Sequence, residues 1–446
     1  MSNKPRLGVI HAPNGAANLR DIYVSATGIC DVVLIMRKPL AEAYPELIGV
    51  AGTLFHDVVI WDEDTTLEGL GLAGLTTFHD GELDLVDREL AALGLPGLGS
   101  HDQPWDKLSQ RRRLNAAGAS RLPIAAVSSP VEFRDAVAAV GLPAVLKPRR
   151  GVSGSGIAFI ETAEDVAHQF EHRADWRDLL LEKMLGRGAH PSGVAWLGDF
   201  VSVETESVGA QRRHVAVFDK VPVSVVRRSG TGGADAVRVT GDLTPSRLPS
   251  RHLDAVLDHT SRALDALGVA WRFTHTELWV SDSDVQVIEV NGRVGGHLNR
   301  VLRLVGGPDM VRSALFLALG REPIAHPEPQ PGFAAGLFPV FTTGGPHVNA
   351  QVSRADLRRL PGVVGVDEVA VAGKPRADNG FRAANVTVKA ADPAELDERI
   401  RAVHRGIGRL FAVDGAISDP WRSLSPAEPA ALPVAVDRPS PSEIVR

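Results

Sequence analysis

Hydrophobic positions in the first hundred residues fall into short unbroken runs separated by longer stretches of mixed polarity. Arg6 to Ile10, Val32 to Met36 and Val58 to Ile60 are apolar at nearly every position, the pattern of strands buried on both faces of a parallel sheet. The segments between them carry a helical period, and the last, Leu83 to Leu93, stops where Gly94, Pro96 and Gly97 mark an exit. This pattern predicts an N-terminal α/β unit over residues 1–105. A basic helix is predicted from Asp106 to Ala117, a strand from Pro123 to Val127, and a helix from Ser129 to Val140 that opens on Ser and Pro. Pro143 to Pro148 and Ile157 to Ile160 bracket a Gly- and Ser-rich loop, Arg149 to Gly156, which reads as a β-hairpin with a mobile tip.

Beyond that hairpin the pattern predicts a helix from Ala163 to Phe170 and an apolar strand from Leu179 to Leu185. Two strand-rich stretches follow, with a flexible loop at Arg227 to Ala234. His252 to Leu267 is amphipathic, and Trp271 to Val280 and Val285 to Asn291 read as two strands around the polar turn Ser281 to Asp284. A Pro- and Gly-rich stretch through Pro331 marks a boundary, so a middle domain spans 106–325, with a subdomain at about 118–185. Phe338 to Ala390 reads as a mostly β subdomain with a helix, Ala394 to Phe411, packed on it, which places a C-terminal unit at 326–425. The remainder, 426–446, is dominated by Pro, Ala and Ser and reads as a flexible tail.

Composition narrows the classes. In 446 residues, 44% are hydrophobic and 23% charged, as in ordinary globular proteins, and collagen-like or wholly disordered readings are excluded. The net charge of −6 comes from 54 acids and 48 scattered bases, which argues against a nucleic-acid partner. The single cysteine, Cys30, forbids an internal disulfide and a Cys-rich metal site, and fits a cytoplasmic location. The apolar run near the N-terminus is too short for a signal-peptide core or a membrane span. Only eight of the 48 bases are lysines, so a lysine inside a motif carries extra weight.

Three segments carry candidate chemistry. On the strand Val285 to Asn291, Glu289 and Asn291 share a face, and a hairpin turn centred on Ser283 puts Glu277 opposite Glu289 on that face. Two like charges facing each other ask for a cation, and Mg²⁺ suits two carboxylates and an amide oxygen, although a solvated polar face on an edge hairpin shows the same spacing. Lys147 ends an apolar strand and is followed by the loop holding Gly151, Ser153, Gly154, Ser155 and Gly156. A cation beside a glycine hairpin is a phosphate clamp, and the order of residues is not that of a Walker loop; a plain glycine-tipped hairpin is the alternative. The third segment, Glu182, Lys183, Met184 and Leu185, offers a strand edge that reads an adenine ring, or else a core strand with a surface ion pair.

Taken in order, Asp106 and Lys107 opening a helix, Lys147 with its glycine hairpin, Glu182 to Leu185, Glu277, then Glu289, Asn291, Arg293, Gly295 and Gly296, the sequence resembles the ATP-grasp superfamily over about residues 5–415. Within it the chain is similar to carboxylate–amine ligases, including L-amino acid ligases. The resemblance implies an α/β architecture of mixed α+β content, with a Rossmann-like N-terminal domain, the ATP-grasp domain and a C-terminal mixed β subdomain. It implies ATP as cofactor with Mg²⁺, two ions or Mn²⁺ in their place, and small-molecule acid and amine substrates joined through an acyl phosphate with release of ADP and phosphate. Neither nucleic acid nor membrane is an expected partner, and a homodimer is compatible with the family.

Residue by residue, the resemblance makes Lys107 and Lys147 the phosphate-binding lysines, Gly151 to Gly156 the flap over the triphosphate, and Glu182 to Leu185 the adenine hinge. It makes Glu277, Glu289 and Asn291 the metal ligands and Arg293 the catalytic cation facing the transferred phosphoryl. The stretch Thr76 to Asp80 is similar to a Thr-Thr-Phe-Ser-Glu stretch of amino acid ligases, which makes Asp80 a substrate contact or, equally, a helix cap. His275, Gly295, Gly296 and His297 are further substrate-side candidates, His275 with a structural role as the alternative. After the hinge many relatives carry a ribose-binding glutamate; here residues 186–193 hold no carboxylate, which leaves Glu204 as a stand-in. Two other readings stand beside the ligase: another ATP-grasp enzyme or carboxylase using a small acid, and a catalytically silent nucleotide-binding protein.

Overall fold

The computed structural model describes residues 4–62, 66–97, 104–151, 154, 156–186, 188–226, 234–324, 331–341, 351–373, 381–413 and 416–417. The expected flap residues Ser153 and Ser155, most of the 227–234 loop and the 426–446 tail lie outside them. Near the N-terminus four parallel strands lie in the order Asp57–Trp61, Asp31–Arg37, Arg6–Ile10 and Gly74–Thr77. The first three are the apolar runs of the sequence; the fourth, with two threonines and four residues, offers no such run. Gly74 is required there by close packing, because a Cβ at this position would lie 2.0 Å from the carbonyl oxygen of Ala318.

The region after residue 123 forms a separate antiparallel sheet in the order Ile124–Val127, Leu179–Lys183, Ala144–Pro148 and Ala158–Ile160. Helices Pro130–Val140 and Ala163–His172 accompany it, and Phe133, Trp176, Leu146 and Leu181 share its core. Thr162 and Asp165 form a reciprocal capping box that fixes the start of the second helix.

The largest element is an eight-stranded antiparallel sheet. Its order is Val285–Asn291, Arg272–Val280, Phe200–Val208, Gln211–Lys220, Gly241–Thr244, Phe333–Leu337, Ala384–Ala390 and Val363–Val369. The last three strands fall within residues 326–425, the first of them, Phe333–Leu337, ahead of the β region expected from Phe338, and they continue the central sheet edge-on. Alternation along Phe200–Val208 sends Val201 and Val203 into the core beneath helix Ser250–Ala266, with Val256, Leu264, Leu278 and Val287. The opposite face packs against helices Leu298–Leu304 and Met310–Ala318 through Phe218, Phe273, Val301 and Leu315. That second face also carries Glu204, His275 and Glu277, in a polar stripe between the helices and the small sheet. No described helix is long and apolar enough to cross a membrane.

Candidate active site

The acidic hairpin holds the expected register for a reason the sequence hid. Val280 pairs with Val285, Trp279 with Gln286 and Leu278 with Val287, a spacing that continued unbroken would oppose Glu277 to Ile288. A bulge between Glu277 and Leu278 shifts the ladder by one residue, and Glu277 faces Glu289. Asn291 donates from Nδ2 to Glu289 Oε1 at 3.0 Å, so all three expected metal ligands meet on one face. The outer edge of the strand is closed by a side chain: the Gln110 amide donates to the carbonyl of Val290 and accepts from its N–H, both at 2.8 Å, in place of a ninth strand.

Lys107 reaches this hairpin from the first turn of helix Lys107–Ala116, whose N-cap Asp106 accepts from the N–H of Ser109 at 2.8 Å. Its Nζ lies 2.6 Å from Glu289 Oε2. Burial opposes ionisation of Glu289, but the Lys107 ammonium outweighs it and holds the carboxyl well below the usual carboxylate range. Glu277 is likewise held down against burial, by the hydrogen bond from His275 Nε2 at 3.2 Å. The other ring nitrogen of His275 meets Glu204 Oε1, and against the effect of burial this carboxylate raises the imidazole pKa to about 9. Glu204 Oε2 accepts from the N–H of Gly295 at 3.0 Å.

Glu204 therefore does not stand in for a ribose ligand. It is fully buried and both its oxygens are engaged, in a chain from Gly295 through Glu204 and His275 to Glu277. Gly295 is required by this contact, since a Cβ would lie 2.7 Å from both Glu204 Oε1 and His275 Nδ1. Gly296 faces open space, and His297 begins helix Leu298–Leu304 with φ 64°.

Arg293, two residues beyond Asn291, is clasped by Asp80: Nε donates to Oδ1 at 2.7 Å and Nη2 to Oδ2 at 2.5 Å. Asp80 sits just past the carboxyl end of strand Gly74–Thr77, so the N-terminal sheet delivers an acid to the hairpin. The capping alternative for Asp80 is not what the fold uses, because His79 caps this turn by accepting from the N–H of Gly81.

In the small sheet Lys147 and Glu182 lie on paired strands, and Lys147 Nζ is 2.7 Å from Glu182 Oε2. Arg111 completes the group, with Nε 2.5 Å from Glu182 Oε1 and Nη2 donating to the carbonyl of Ile288. Arg111 was not singled out by the sequence, where it is one of three consecutive arginines; its signal is the spacing of four from Lys107 on one helical face. Lys183 turns its ammonium to the carbonyl of Leu142, and the N–H of Met184 is taken by Pro143, while Met184 and Leu185 remain half-buried beyond the strand end. The loop after Lys147 is pinned by Arg149, whose guanidinium bonds both oxygens of Asp106. Of the expected flap, Gly151, Gly154 and Gly156 are described, the last two with φ 69° and 75°, where glycine is favoured.

These residues form two adjoining groups. One gathers Glu277, Glu289, Asn291, Lys107, Arg293, Asp80 and His275; the other gathers Lys147, Glu182 and Arg111, bridged to the first by the bond from Arg111 to the Ile288 carbonyl. Among the described residues no three His, Cys, Asp or Glu side chains are disposed to hold a metal by themselves. Two facing carboxylates with an amide oxygen do fit a Mg²⁺ ion that takes its remaining ligands from phosphates.

No protein-family model matches the chain. It is 24% identical over 305 residues to alanine–anticapsin ligase from Bacillus subtilis, an alignment covering 64% of this chain and 59% of that one. The chain thus spans somewhat over half the length of this curated relative. Its fold matches the L-amino acid ligase from Bacillus licheniformis with a TM-score of 0.66 at 16% identity, over 93% of this chain and 99% of that one. It also matches carboxyaminoimidazole ribonucleotide synthase from Aspergillus clavatus, a structure complexed with ATP, with a TM-score of 0.63 at 15% identity over 92% and 99%. The chain has the ATP-grasp fold, and it is similar to the carboxylate–amine ligases of that superfamily.

Proposed function

We propose that the protein is a cytoplasmic ATP-dependent ligase that joins the carboxylate of one small molecule to the amine of another, with amino acids or small peptides as substrates. The observation that carries this reading is the convergence of Glu277, Glu289 and Asn291 with the cations Lys107 and Arg293 at one end of the central sheet, with Lys147 on the adjoining sheet. A carboxylate is a poor electrophile, and phosphorylation to an acyl phosphate activates it. In this reading Glu277, Glu289 and Asn291 hold Mg²⁺, which neutralises phosphate charge when bound.

Lys147 and Lys107 bind phosphate oxygens, exchanging their carboxylate partners for the nucleotide. Met184 and Leu185 pack on the adenine at the strand end. Arg293 leaves or shares Asp80 and turns its planar fork to the phosphoryl group as charge spreads over it. The glycine loop at 151–156 excludes water from the activated acid. The amine then attacks the acyl carbon, and phosphate departs.

An ADP-release screen of amino acids in pairs, with mass spectrometry of the products, tests the reading. With ¹⁸O-labelled acid, label is expected in the released phosphate. Its absence removes the acyl phosphate and with it the ligase.

A further inference from the structure

A two-stranded ribbon joins the two groups of site residues without belonging to either. It leaves the central sheet between strands Gln211–Lys220 and Gly241–Thr244, where Lys220 Nζ lies 2.5 Å from Asp242 Oδ1 and the Thr240 hydroxyl donates to the carbonyl of Pro222 at 2.6 Å. Phe218 pairs with Ser202 and Ser202 with Glu277, so Lys220, two residues beyond Phe218, stands on the same face of the sheet as Glu277. Against the effect of burial, the carboxylates of Asp242 and then Glu277 make Lys220 hold its proton more tightly than usual. The base of the ribbon therefore adjoins the metal side of the site. Its strands, Ser224–Val226 and Ala236–Arg238, pair antiparallel with Val225 opposite Val237.

Beyond its base the ribbon is bonded to the phosphate side. Asp235 donates its N–H to the carbonyl of Ile157 at 2.6 Å and accepts through Oδ2 from the N–H of Phe159 at 2.9 Å. Phe159 lies on Ala158–Ile160, the outer strand of the small sheet, which pairs on its inner side with the strand of Lys147. Gly154 abuts the ribbon as well: a Cβ there would lie 2.9 Å from the carbonyl oxygen of Val237, and φ is 69°, so only glycine lets the loop lie this close. A glycine loop that moves onto phosphates must carry the ribbon with it or break both bonds of Asp235. We propose that Asp235 latches the ribbon to the glycine loop, so that nucleotide under the loop orders the ribbon too, and the two together shield the activated acid from water. Asp235 is a positioning residue, acting through the loop and touching no reacting atom. The latch rests on the ATP-dependent ligase reading.

Hydrogen exchange of the full chain, with AMP-PNP and Mg²⁺ as the probe, separates the failure of one from the failure of the other. In the parent, exchange is expected to slow about tenfold both in the hairpin strands Ala144–Pro148 and Ala158–Ile160 and in the ribbon strands. In Asp235→Ala the hairpin keeps that protection and the ribbon gains less than about twofold. No slowing in the parent's hairpin overturns the nucleotide reading and the latch together. Slowing in the hairpin without the ribbon, or a ribbon protected equally in Asp235→Ala, overturns the latch alone. Gly154→Ala, which presses the loop away from Val237, is expected to uncouple the two in the same way and decides the matter if the Asp235 variant does not fold. With an acid and amine that support ADP release, the parent is expected to release about one ADP per amide formed and Asp235→Ala roughly three, as water returns the acyl phosphate to acid and phosphate. A variant that keeps the parent's ratio overturns the shielding.

Discussion

Single residues in the polar stripe are held by opposed charges, and this makes conservative substitutions informative. Glu289→Gln keeps the volume and the bond to Asn291 but removes the charge that Lys107 meets at 2.6 Å. Phosphate release is expected to fall at least a thousandfold while circular dichroism is unchanged; near-parental turnover would remove Glu289 from the reaction. Arg293→Lys keeps charge and loses the fork that Asp80 grips with two bonds. Its kcat is expected to drop about a hundredfold, the usual cost of losing one such donor, with ATP KM changing less than about threefold. An equal rise in ATP KM would instead make Arg293 a nucleotide-binding group. At this scale the sequence was legible where a side chain acts within its own strand, as for Glu289 and Asn291. It was illegible where the partner comes from a distant segment: Arg111 with Glu182 and Glu204 with His275 are each 71 residues apart, and only the folded register brings them together.

At the scale of elements, apolar runs and capping residues predicted many of the helices and strands, from Leu83–Leu93 to Val285–Asn291, but not helices Leu298–Leu304 and Met310–Ala318 or strand Phe333–Leu337. Strand Gly74–Thr77 escaped because a four-residue strand with two threonines lacks the run that marks its neighbours. The bulge at Glu277 escaped because a bulge answers to the packing of both strands and leaves no residue signature here. The turn carrying Gly295 is where element and chemistry meet. Gly295→Ala would drive a Cβ within 2.4 Å of the Leu298 side chain as well as against Glu204 and His275. The expected result is a melting temperature several degrees lower and a kcat reduced at least tenfold, measured by thermal unfolding and ADP release; a variant matching the parent in both would show that the loop can yield.

For the whole molecule, buried histidines in different regions contribute to acid sensitivity: burial lowers His79, His214 and His297, and most of all His11 and His404. His11, at the end of a parallel strand, and His404, in helix Pro393–Leu410, are each lowered from 6.5 to about 4 by burial, His11 also by His79. Both are then neutral in the folded protein while the unfolded chain takes up protons below pH 6.5. Their contribution is full above pH 6.5 and is lost as pH falls towards 4, by on the order of 2 kcal/mol for each at pH 5. Urea unfolding at pH 7 and pH 5 reads this loss directly, and His404→Leu is expected to reduce it by on the order of 2 kcal/mol; an unchanged difference would place the acid sensitivity elsewhere. The large sheet also has an outer border, and Gln110 is what finishes it on the side of Val285–Asn291. A strand whose peptide groups lack partners is a template for another chain. Gln110→Leu would leave Val290 such a template, so its consequence reaches beyond one molecule: concentration-dependent association, visible as a second, faster-sedimenting species that grows with loading, where the parent shows no such growth. One amide side chain would thus serve solubility as well as the closing of its own sheet.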